Sequence, residues 1–349
     1  MSDDGKRESV ENLISRFKKS FRVDSRYGVL EFEPGTKYLR VLTDSISNAS
    51  RISGLYRKTN SEARIKVVLL PDDSVGGFSK GVCHVGVAPV RRHNDSTSEQ
   101  VTQVLYGESF DTLQIVDTWV RARLHADGYL GWISANQVTL LNGIQFDSYK
   151  SMPKVHVAAH TVPLLSKPLA TSAVVREAVF GCRLSTLGEL RNFWEIAVPD
   201  GSIGYVEKSK IISSPAKSGV PPSTRRLLRV AGDFMGISYA WGGRSPKGFD
   251  CSGFVQTVFR SNGIELPRDA DMQFSAGKPL GKDLRRLRPG DLLFFLSNGD
   301  KITHVAIYIG KSREFIHSSG FVRINSFDPR RKDFNNRLLT TFVGACRVI

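Results

Sequence analysis

Short runs in which apolar and polar residues alternate occupy the middle of the chain, and the spacing of amphipathic helices appears in a few other segments. Residues 82–140 and 155–212 carry such alternating runs, joined by Asp-Gly turns. A period of two with Asp-Gly turns is typical of antiparallel hairpins. Each of these segments therefore predicts a small β-barrel.

The two segments also repeat each other. The spacing from Gly107 to Gly131 exceeds the spacing from Gly181 to Gly204 by one residue. Both second glycines belong to an Asp-Gly-x-x-Gly-aromatic pattern near the end of a unit of about 60 residues. The sequence therefore predicts a tandem pair of similar barrels.

The residues before the repeat suggest a small α/β module. Residues 1–26 form a polar leader, with an amphipathic helix around Val10–Phe21. The pattern then predicts a strand at Tyr27–Phe32, a helix at Tyr38–Gly54 and a strand at Ala63–Leu70. No residue of this module points to a chemical role.

The helical spacing returns directly after Cys251, and this helix carries the strongest chemical signal in the chain. Asp250 is a natural N-cap, and Asn262-Gly263 predicts the end of the helix. A thiol in the first helical turn faces unpaired N–H groups and the positive end of the helix dipole, and both favour the thiolate. Cys251 is therefore the candidate nucleophile. The apolar residues at helical spacing are Phe254, Val255, Val258 and Phe259.

Two histidines downstream can complete a catalytic set with Cys251. His304 lies in the β-rich run Thr303–Gly310, and His317 lies in a second short strand, Phe315–Ser319. A cysteine on a helix and two polar groups on adjacent strands fit a papain-type arrangement. We expect His304 to act as the base and His317 to hold its ring in the right tautomer.

Several motifs between residues 222 and 349 resemble, in consistent order, the NlpC family of bacterial cell-wall cysteine peptidases. The resemblance implies a papain-like α+β domain. It also implies cleavage of peptidoglycan stem peptides, usually at the γ-D-glutamyl–diamino acid bond. The matching motifs are Tyr239, Trp241-Gly242-Gly243, Asp250-Cys251-Ser252-Gly253, Leu266-Pro267-Arg268, Arg288-Pro289-Gly290-Asp291-Leu292 and His304-Val305-Ala306-Ile307-Tyr308.

The same resemblance implies roles for residues around the nucleophile. Tyr239 resembles the family tyrosine that helps to polarise the scissile carbonyl. Asp250 and Ser252 resemble residues that contact the peptide, although Asp250 could equally be only a helix cap. Asp269 is a candidate acceptor for a substrate amine. The next position, Ala270, departs from the small hydroxyl residue that the family often has there, so one substrate hydrogen bond is expected to be missing.

The repeat pattern resembles bacterial SH3-like domains. Two such domains ahead of an NlpC-type domain resemble the enzymes called dipeptidyl-peptidase VI, which trim wall-derived peptides. In similar enzymes the first SH3-like domain narrows the cleft and binds the free amino terminus of the substrate. The resemblance carries this role to Tyr129, in the first Asp-Gly hairpin, and to Glu99, in an earlier polar loop.

The expected fold class is therefore multi-domain α+β. The N-terminal leader and α/β module take residues 1–78, and the first SH3-like barrel takes residues 79–145. The second barrel takes residues 146–214, and the papain-like domain takes residues 215–349. A linker rich in Ser and Pro, residues 213–223, leads into the papain-like domain.

Charge and composition exclude few classes. The net charge is +15, but Lys and Arg are scattered and no nucleic-acid motif is present, so no nucleic-acid partner is expected. No run approaches the ~20 apolar residues of a membrane span. The N-terminus shows no secretory signal, so we expect a cytoplasmic protein as the sequence stands, and a periplasmic or secreted one if the N-terminus is trimmed.

No cofactor or metal is expected. His156 and His160 are four residues apart, but they lie in a strand-like segment without a third ligand. The remaining cysteines are expected to be buried thiols in apolar surroundings. They are Cys83, Cys182 and Cys346.

The expected function is a cysteine endopeptidase that cleaves the γ-D-glutamyl–diamino acid bond of stem peptides with a free N-terminal L-Ala. Such an enzyme would serve cell-wall peptide turnover or recycling. One alternative is a hydrolase of intact wall peptidoglycan, with the barrels as wall anchors. Another is a protein without catalysis whose barrels bind peptidoglycan.

Overall fold

The computed structural model describes residues 8–61, 63–213, 221–296 and 300–349. The N-terminal part is a three-stranded sheet with two helices. Strands β1 and β2 are antiparallel, and β2 and β3 run parallel because α2 provides the crossover. These elements are α1 (Val10–Ser20), β1 (Leu30–Pro34), β2 (Tyr38–Thr43), α2 (Ile46–Tyr56) and β3 (Arg64–Leu69).

The small α/β module and its first helix are confirmed, but the prediction of one helix over Tyr38–Gly54 is wrong. Its first six residues form the central strand β2, in which Leu39 and Val41 alternate into the core. The helix begins only at Ile46, after Ser45 accepts a hydrogen bond from the amide of Asn48. In residues 38–43 the alternation of buried and more exposed residues, which is typical of a strand, therefore determines the structure, and the helical spacing applies only from Ile46 onward.

Two seven-stranded barrels follow, separated by helix α3 (Gly143–Ser151). The first barrel contains β4 (Lys80–Cys83), β5 (Val87–Arg91), β6 (Gln100–Leu105), β7 (Ser109–Val116), β8 (Trp119–Leu124), β9 (Leu130–Ser134) and β10 (Val138–Leu141). The second contains β11 (Lys154–Val157), β12 (Thr161–Leu165), β13 (Val174–Val179), β14 (Arg183–Leu190), β15 (Phe193–Ala197), β16 (Ile203–Glu207) and β17 (Ile211–Ser213).

The strand orders confirm the repeat. The first barrel has the order β10-β4-β7-β8-β9-β5-β6, and the second has the order β17-β11-β14-β15-β16-β12-β13. Each strand of the second barrel thus occupies the place of its counterpart in the first. The barrels touch closely at Gly107, where a Cβ atom would lie 1.9 Å from the carbonyl oxygen of Arg183.

The C-terminal domain is built on a six-stranded antiparallel sheet of order β20-β25-β21-β22-β23-β24, with a two-stranded ribbon, β18 and β19, ahead of it. Its helices are α4 (Thr224–Asp233), α5 (Cys251–Arg260), α6 (Ala270–Phe274) and α7 (Asn336–Thr341). Its strands are β18 (Arg244–Ser245), β19 (Gly248–Phe249), β20 (Lys278–Gly281), β21 (Leu292–Leu296), β22 (Ile302–Tyr308), β23 (Glu314–Ser319), β24 (Phe321–Ser326) and β25 (Phe342–Arg347).

Helix α5 packs across this sheet and forms the main core of the domain. Phe254 and Val258 of α5 are fully buried in one cluster with Phe294, Val305 and Ile307 of the sheet. The predicted α5 and the strands that carry the two histidines are confirmed within two residues. Most of the predicted linker, residues 214–220, lies outside the described residues.

A buried ion-pair network holds the first barrel against the C-terminal domain. Glu108 follows β6 and accepts hydrogen bonds from Arg244 at 2.8 and 3.0 Å and from Arg260 of α5 at 2.8 Å. Burial alone would raise the pKa of Glu108, but the charges of the two arginines outweigh it and lower the pKa to about 2. Helix α5 and the barrel are thereby fixed to one another.

In the part of the chain that the structure describes, no helix combines the length and the apolar character that a bilayer crossing requires.

Candidate active site

Cys251 is the first residue of α5, as predicted. Asp250 caps the helix by accepting a 2.6 Å hydrogen bond from the amide of Gly253. A Cβ atom on Gly253 would lie 2.1 Å from the carbonyl oxygen of Gly243, so the helix start packs tightly on the loop before it. A side chain at position 253 would therefore collide with this loop, which explains why the motif Asp250-Cys251-Ser252-Gly253 ends in glycine.

The environment of the Cys251 thiol corrects the expectation that its position at the helix start favours the thiolate. Burial raises the pKa of Cys251, and the charge of Asp250 raises it further, although the amide of Val305 and the charge of Arg268 act in the opposite direction. The helix terminus is therefore not enough to produce a thiolate. Ionisation requires a base that takes the proton and leaves a compensating positive charge beside the sulfur.

His304 occupies the strand that faces this thiol. The carbonyl oxygen of Thr303 lies 3.6 Å from Cys251 Sγ, and the amide of Val305 also acts on the thiol. The two residues that flank His304 thus contact Cys251, which brings His304 to the junction of α5 and β22. Burial lowers the pKa of His304, and the ring of His317 lowers it further, so His304 is neutral at neutral pH.

A chain of hydrogen bonds fixes the tautomer of His304. Its Nε2 lies 2.7 Å from Nδ1 of His317, whose Nε2 lies 2.9 Å from Oδ1 of Asn325. The amide nitrogen of Asn325 donates to the carbonyl of Asp333 at 2.8 Å, which orients the Asn325 oxygen toward the ring.

An amide oxygen can only accept, so His317 Nε2 carries a proton and donates it to Asn325. Burial lowers the pKa of His317 to about 4, so at neutral pH its Nδ1 is unprotonated and accepts from His304 Nε2. The remaining nitrogen of His304, Nδ1, then holds a lone pair. The ring is therefore prepared to accept a proton from a thiol.

Tyr239 lies in the same cleft as Cys251. Its backbone amide donates to the carbonyl of Gly320 at 2.8 Å, which fixes it to the turn between β23 and β24. Burial raises the pKa of Tyr239, and the nearby Cys251 raises it further, so the hydroxyl keeps its proton and remains a donor.

Asp250 and Ser252 line the cleft, but both are already engaged by Arg268. The Arg268 guanidinium lies 2.5 Å from Asp250 Oδ2 and donates to Ser252 Oγ at 2.9 Å. Arg268 is almost fully buried and also donates to Thr102 of the first barrel at 2.8 Å. Asp250 is thus both a helix cap and half of a buried ion pair that orders the loop before Cys251.

The three predicted amine-binding residues, Tyr129, Asp269 and Glu99, all line the cleft, and two of them are in contact. The Tyr129 hydroxyl donates to Asp269 Oδ2 at 3.2 Å, across the boundary between barrel and C-terminal domain. Glu99 accepts from the Trp241 indole at 2.8 Å and from Arg92 at 2.7 Å. Tyr129 is buried, so it is a wall of the cleft rather than a solvated loop residue.

The cleft has a volume of about 680 Å³ and draws its walls from three parts of the chain. The first barrel and the C-terminal domain contribute most of the lining, and residues 300–303 form the wall next to the thiol. The N-terminal module contributes Arg26, although the sequence assigned no chemistry to that module. Seven of the nine predicted site residues line this cleft. The other two, His304 and His317, do not line it, and His304 follows Thr303, whose carbonyl oxygen contacts the thiol.

Sequence reasoning missed five residues that act around this site. Arg26 and Arg268 neutralise carboxylates, Asn325 extends the histidine pair, and the other two hold Glu99. No local pattern marks Arg26, Arg92 or Asn325. Trp241 and Arg268 stand inside the motifs quoted above, so the motifs indicated their importance but not their contacts. The five residues are Arg26, Arg92, Trp241, Arg268 and Asn325.

The remaining cysteines are buried, as predicted. His160 packs on the ring of Phe234 with 5.3 Å between centroids, and burial lowers the pKa of His156 to about 4. Among the described residues, no group of three His, Cys, Asp or Glu side chains is arranged to hold a metal ion.

Two family profiles match the chain. Residues 236–341 match the NlpC/P60 family, and residues 90–138 match the bacterial dipeptidyl-peptidase Sh3 domain. The first match contains Cys251 and both histidines, and the second contains Glu99 and Tyr129. The chain belongs to the NlpC/P60 family, with SH3-like domains ahead of the NlpC/P60 domain.

Two relatives share the name γ-D-glutamyl-L-lysine dipeptidyl-peptidase. The protein from Bacillus cereus is 31% identical over 62% of this chain and 66% of its own length. The protein from Bacillus subtilis is 31% identical over 62% of this chain and 71% of its own length. The matched region therefore spans about two thirds of each relative.

Solved structures support the same architecture. The crystal structure of an NlpC/P60 family protein from Bacillus cereus superposes with a TM-score of 0.67, at 25% identity, over 77% of this chain and 99% of that one. An NlpC/P60 endopeptidase from Photobacterium damselae superposes with a TM-score of 0.60 over 99% of this chain and 88% of that one. Its identity is 14%, so it shows the fold alone.

Proposed function

We propose that this protein is a cysteine endopeptidase that cleaves the γ-D-glutamyl–diamino acid bond of peptidoglycan stem peptides with a free N-terminal L-Ala. One observation carries the proposal. The cleft that contains the Cys251 thiol is also lined by two carboxylates, Asp269 of the C-terminal domain and Glu99 of the first barrel. A cleft that contains both a nucleophile and an acceptor for an ammonium can select a substrate by the length of the segment between its free amino terminus and the scissile bond.

The names of the two Bacillus relatives support the choice of bond. A γ-D-glutamyl linkage places a short segment, L-Ala followed by the side chain of D-Glu, between the amino terminus and the scissile carbonyl. Tyr129 of the first barrel lines the cleft and contacts Asp269, so we expect a longer segment on that side of the scissile bond to collide with the barrel.

The reaction begins when His304 Nδ1 takes the proton of Cys251 as its sulfur attacks the γ-carbonyl of D-Glu. Burial disfavours either charge alone, but the thiolate and the imidazolium neutralise each other when the proton passes between them. His317 accepts from His304 Nε2 throughout and stabilises the imidazolium. This relay to Asn325 keeps the ring from rotating away from the sulfur.

The tetrahedral oxyanion is held by the backbone N–H of Cys251 and the hydroxyl of Tyr239. One donor of this kind contributes about 3–4 kcal/mol in other enzymes. His304 then gives its proton to the leaving amine of the diamino acid, which leaves L-Ala-γ-D-Glu as a thioester on Cys251. A water molecule that loses a proton to His304 hydrolyses the thioester and restores the thiol.

The free amine of L-Ala binds at the acidic end of the cleft. Tyr129 already donates to one oxygen of Asp269, which leaves the other oxygen to accept from the ammonium. Charge-assisted hydrogen bonds of this type contribute roughly 1.5–3 kcal/mol. The L-Ala amine of intact peptidoglycan is an amide and carries no charge, so the same geometry disfavours the intact wall as a substrate.

Mass spectrometry of defined stem peptides tests the proposal. Incubation of L-Ala-γ-D-Glu-diamino acid peptides with the protein should release L-Ala-γ-D-Glu, and Cys251→Ala should release none. Cleavage at another bond would contradict the assignment. Release of muropeptides from intact peptidoglycan, with free peptides left unchanged, would favour the wall-hydrolase alternative. Binding of peptidoglycan without any turnover would favour the non-catalytic alternative.

A further inference from the structure

The loop Asp24–Tyr27, between α1 and β1, reaches from the N-terminal module to the cleft. The carbonyl of Arg26 accepts from the amide of Leu130 at 2.8 Å, so the loop is bound to the hairpin between β8 and β9. The ring of Tyr27 packs edge-on against the ring of Tyr129, with 5.5 Å between centroids. The loop therefore supports the hairpin that carries Tyr129.

The Arg26 side chain continues from this loop into the cleft. Its Nη1 donates to Asp269 Oδ2 at 3.0 Å and to Asp271 Oδ1 at 2.8 Å. Its Nε and Nη2 donate to Asp24 at 2.9 and 2.7 Å. One guanidinium thus joins a carboxylate of its own loop to two carboxylates of the C-terminal domain.

We propose that Arg26 is a positioning residue that holds Asp269 in the orientation that accepts the substrate ammonium, so that the N-terminal module sets the preference for a free amino terminus. This inference rests on the proposed function. It adds to that function a residue from a module outside both segments matched by the family profiles, which cover residues 90–138 and 236–341.

The oxygen of Asp269 to which Arg26 donates supports a positioning role for Arg26. Arg26 and Tyr129 both donate to Oδ2 of Asp269, and no described residue donates to its Oδ1. Asp269 precedes α6, yet its side chain makes no capping hydrogen bond. Without Arg26, the Tyr129 hydroxyl would be the carboxylate's remaining side-chain partner among the described residues.

The anchoring of Arg26 argues against a guanidinium that merely occupies the ammonium site until substrate displaces it. Asp24 accepts from Nε and Nη2 of the guanidinium, whereas Nη1 serves Asp269 and Asp271, and the side chain is only one quarter exposed. Displacing it would break contacts to three carboxylates. A fixed wall is the simpler consequence of this geometry.

The charge balance supports a cationic ligand at this end of the cleft. Three carboxylates, Asp24, Asp269 and Asp271, surround the single guanidinium of Arg26. The group therefore keeps a net charge of −2, and Glu99 adds another negative charge that Arg92 balances. Arg26 reduces the repulsion among the carboxylates without removing the attraction for an ammonium.

Steady-state kinetics of Arg26→Ala and Arg26→Lys test the inference, with paired peptides that differ only in acetylation of the L-Ala amine. Arg26→Ala should raise KM for the free peptide by about tenfold or more while kcat changes little. The ratio of kcat/KM between free and acetylated peptide should fall by a similar factor. Arg26→Lys should recover part of the ratio, since an ammonium can reach Asp269 but cannot bridge all three carboxylates.

Arg16→Ala is a matched control, because Arg16 pairs with Glu8 at 3.0 Å in the same module and does not line the cleft. It should keep the wild-type ratio. Asp24→Asn is a second probe, because it loosens the anchor without removing the guanidinium, and it should shift the ratio in the same direction by a smaller factor. Thermal unfolding of each variant reports any loss of folded protein.

Three results with the Arg26→Ala variant would overturn the inference, and one result with the wild-type protein would overturn it together with the proposed function. An unchanged ratio in Arg26→Ala would show that Arg26 does not position the amine acceptor. Equal losses on both peptides, together with a lower Tm, would assign Arg26 a purely structural role. A higher kcat/KM for the free peptide would make Arg26 a competitor of the substrate. Wild-type protein that fails to cleave the free peptide would refute the proposed function, and the inference with it, before any Arg26 variant is compared.

Discussion

The Nε2 atom of His304 lies 2.7 Å from Nδ1 of His317, and this contact determines which nitrogen of His304 can act as the base. His317 is in turn held by Asn325, whose oxygen can only accept. Both hydrogen bonds are therefore donated in the same direction: His304 Nε2 donates to His317, and His317 Nε2 donates to Asn325. The lone pair of His304 is left at Nδ1, the nitrogen that must serve the thiol.

Removing the end of this chain should slow turnover without weakening substrate binding. Asn325→Ala leaves His317 free to adopt the other tautomer, in which its Nδ1 carries the proton and no longer accepts from His304. We expect kcat to fall by about 10–100-fold, by analogy with the range found for residues that orient metal-ligating histidines, with little change in KM. Steady-state kinetics on a free stem peptide check this, and a rise in KM alone would contradict it.

The activity of His317 variants should follow the ability of the new side chain to accept a hydrogen bond from His304. His317→Asn keeps an amide oxygen that can accept from His304, so a weak remnant of activity should survive. His317→Ala should lose more, and His304→Ala should lose nearly as much as Cys251→Ala, because base and nucleophile act as a unit. Wild-type activity in His317→Ala would place the third catalytic role on another residue.

Labelling with iodoacetamide should separate Cys251 from the other cysteines. Cys251 is 7% exposed and lines the cleft, whereas Cys83, Cys182 and Cys346 are fully buried. Burial raises the pKa of all four thiols, so access and a neighbouring base decide their reactivity. Peptide mapping of the folded protein should find Cys251 modified first. Equal modification of all four would count against its assignment as nucleophile.

Acid should destabilise the protein through its buried histidines. Burial lowers the pKa of His304 and of His317, so the unfolded chain binds protons that the folded chain does not. The stability from these groups is complete above the unfolded pKa, near 6.5, and is lost as pH falls toward the folded pKa, about 4 for His317. Each histidine adds a slope of about 1.4 kcal/mol per pH unit in that window.

Urea unfolding of wild type and His317→Asn at several pH values between about 4 and 6.5 measures this slope. The variant lacks one titrating ring, so its stability should fall less steeply with acid than that of wild type. Identical slopes would show that His317 does not titrate on unfolding, which would contradict its buried, neutral state. His156 is present in both proteins and does not affect the comparison.

Removing the charge of Glu108 should destabilise the contact between barrel and C-terminal domain. Glu108→Gln leaves the buried Arg244 without its carboxylate partner, and such a loss costs about 3–5 kcal/mol. Glu189→Gln is the control, because its pair with Lys208 is exposed and such pairs contribute about 0–1 kcal/mol. Chemical denaturation should separate the two variants, and equal stabilities would show that the buried network does not hold the interface.

Local patterns in the sequence predicted much of this molecule. Alternation and Asp-Gly turns predicted both barrels, and helical spacing after Cys251 predicted α5. The same reasoning failed at residues 38–54, where a strand and a helix follow each other with only two residues between them. A pattern read over that whole segment cannot locate the boundary, which depends on the cap at Ser45.

The contacts of the cleft were harder to predict, because they join residues far apart in the chain. Arg26 and Asp269 are separated by 243 positions, and Tyr129 and Asp269 by 140. The resemblance pointed to Tyr129 and Asp269 but not to Arg26. The direction of the thiol pKa was also missed, because a helix terminus is visible in sequence and the burial of the sulfur is not.

The hydroxyl of Tyr129 offers a direct probe of the proposed amine-binding site. Tyr129→Phe keeps the ring that packs on Tyr27 but removes the hydroxyl that donates to Asp269. KM for the free peptide should rise, and the gap between free and acetylated peptides should narrow. Tyr205→Phe is the matched control, since it removes a hydroxyl that bonds Glu195 in the second barrel. Equal effects of the two substitutions would contradict the role of Tyr129.

The preference for a free amino terminus is tested most directly by the ratio of kcat/KM for one stem peptide, L-Ala-γ-D-Glu-diamino acid, with its amino terminus free and acetylated. Acetylation removes the positive charge and adds bulk where we expect Asp269, Glu99 and Tyr129 to bind the amine. We expect at least about a tenfold preference for the free peptide, which corresponds to about 1.4 kcal/mol. Cleavage of both peptides at comparable rates would contradict it.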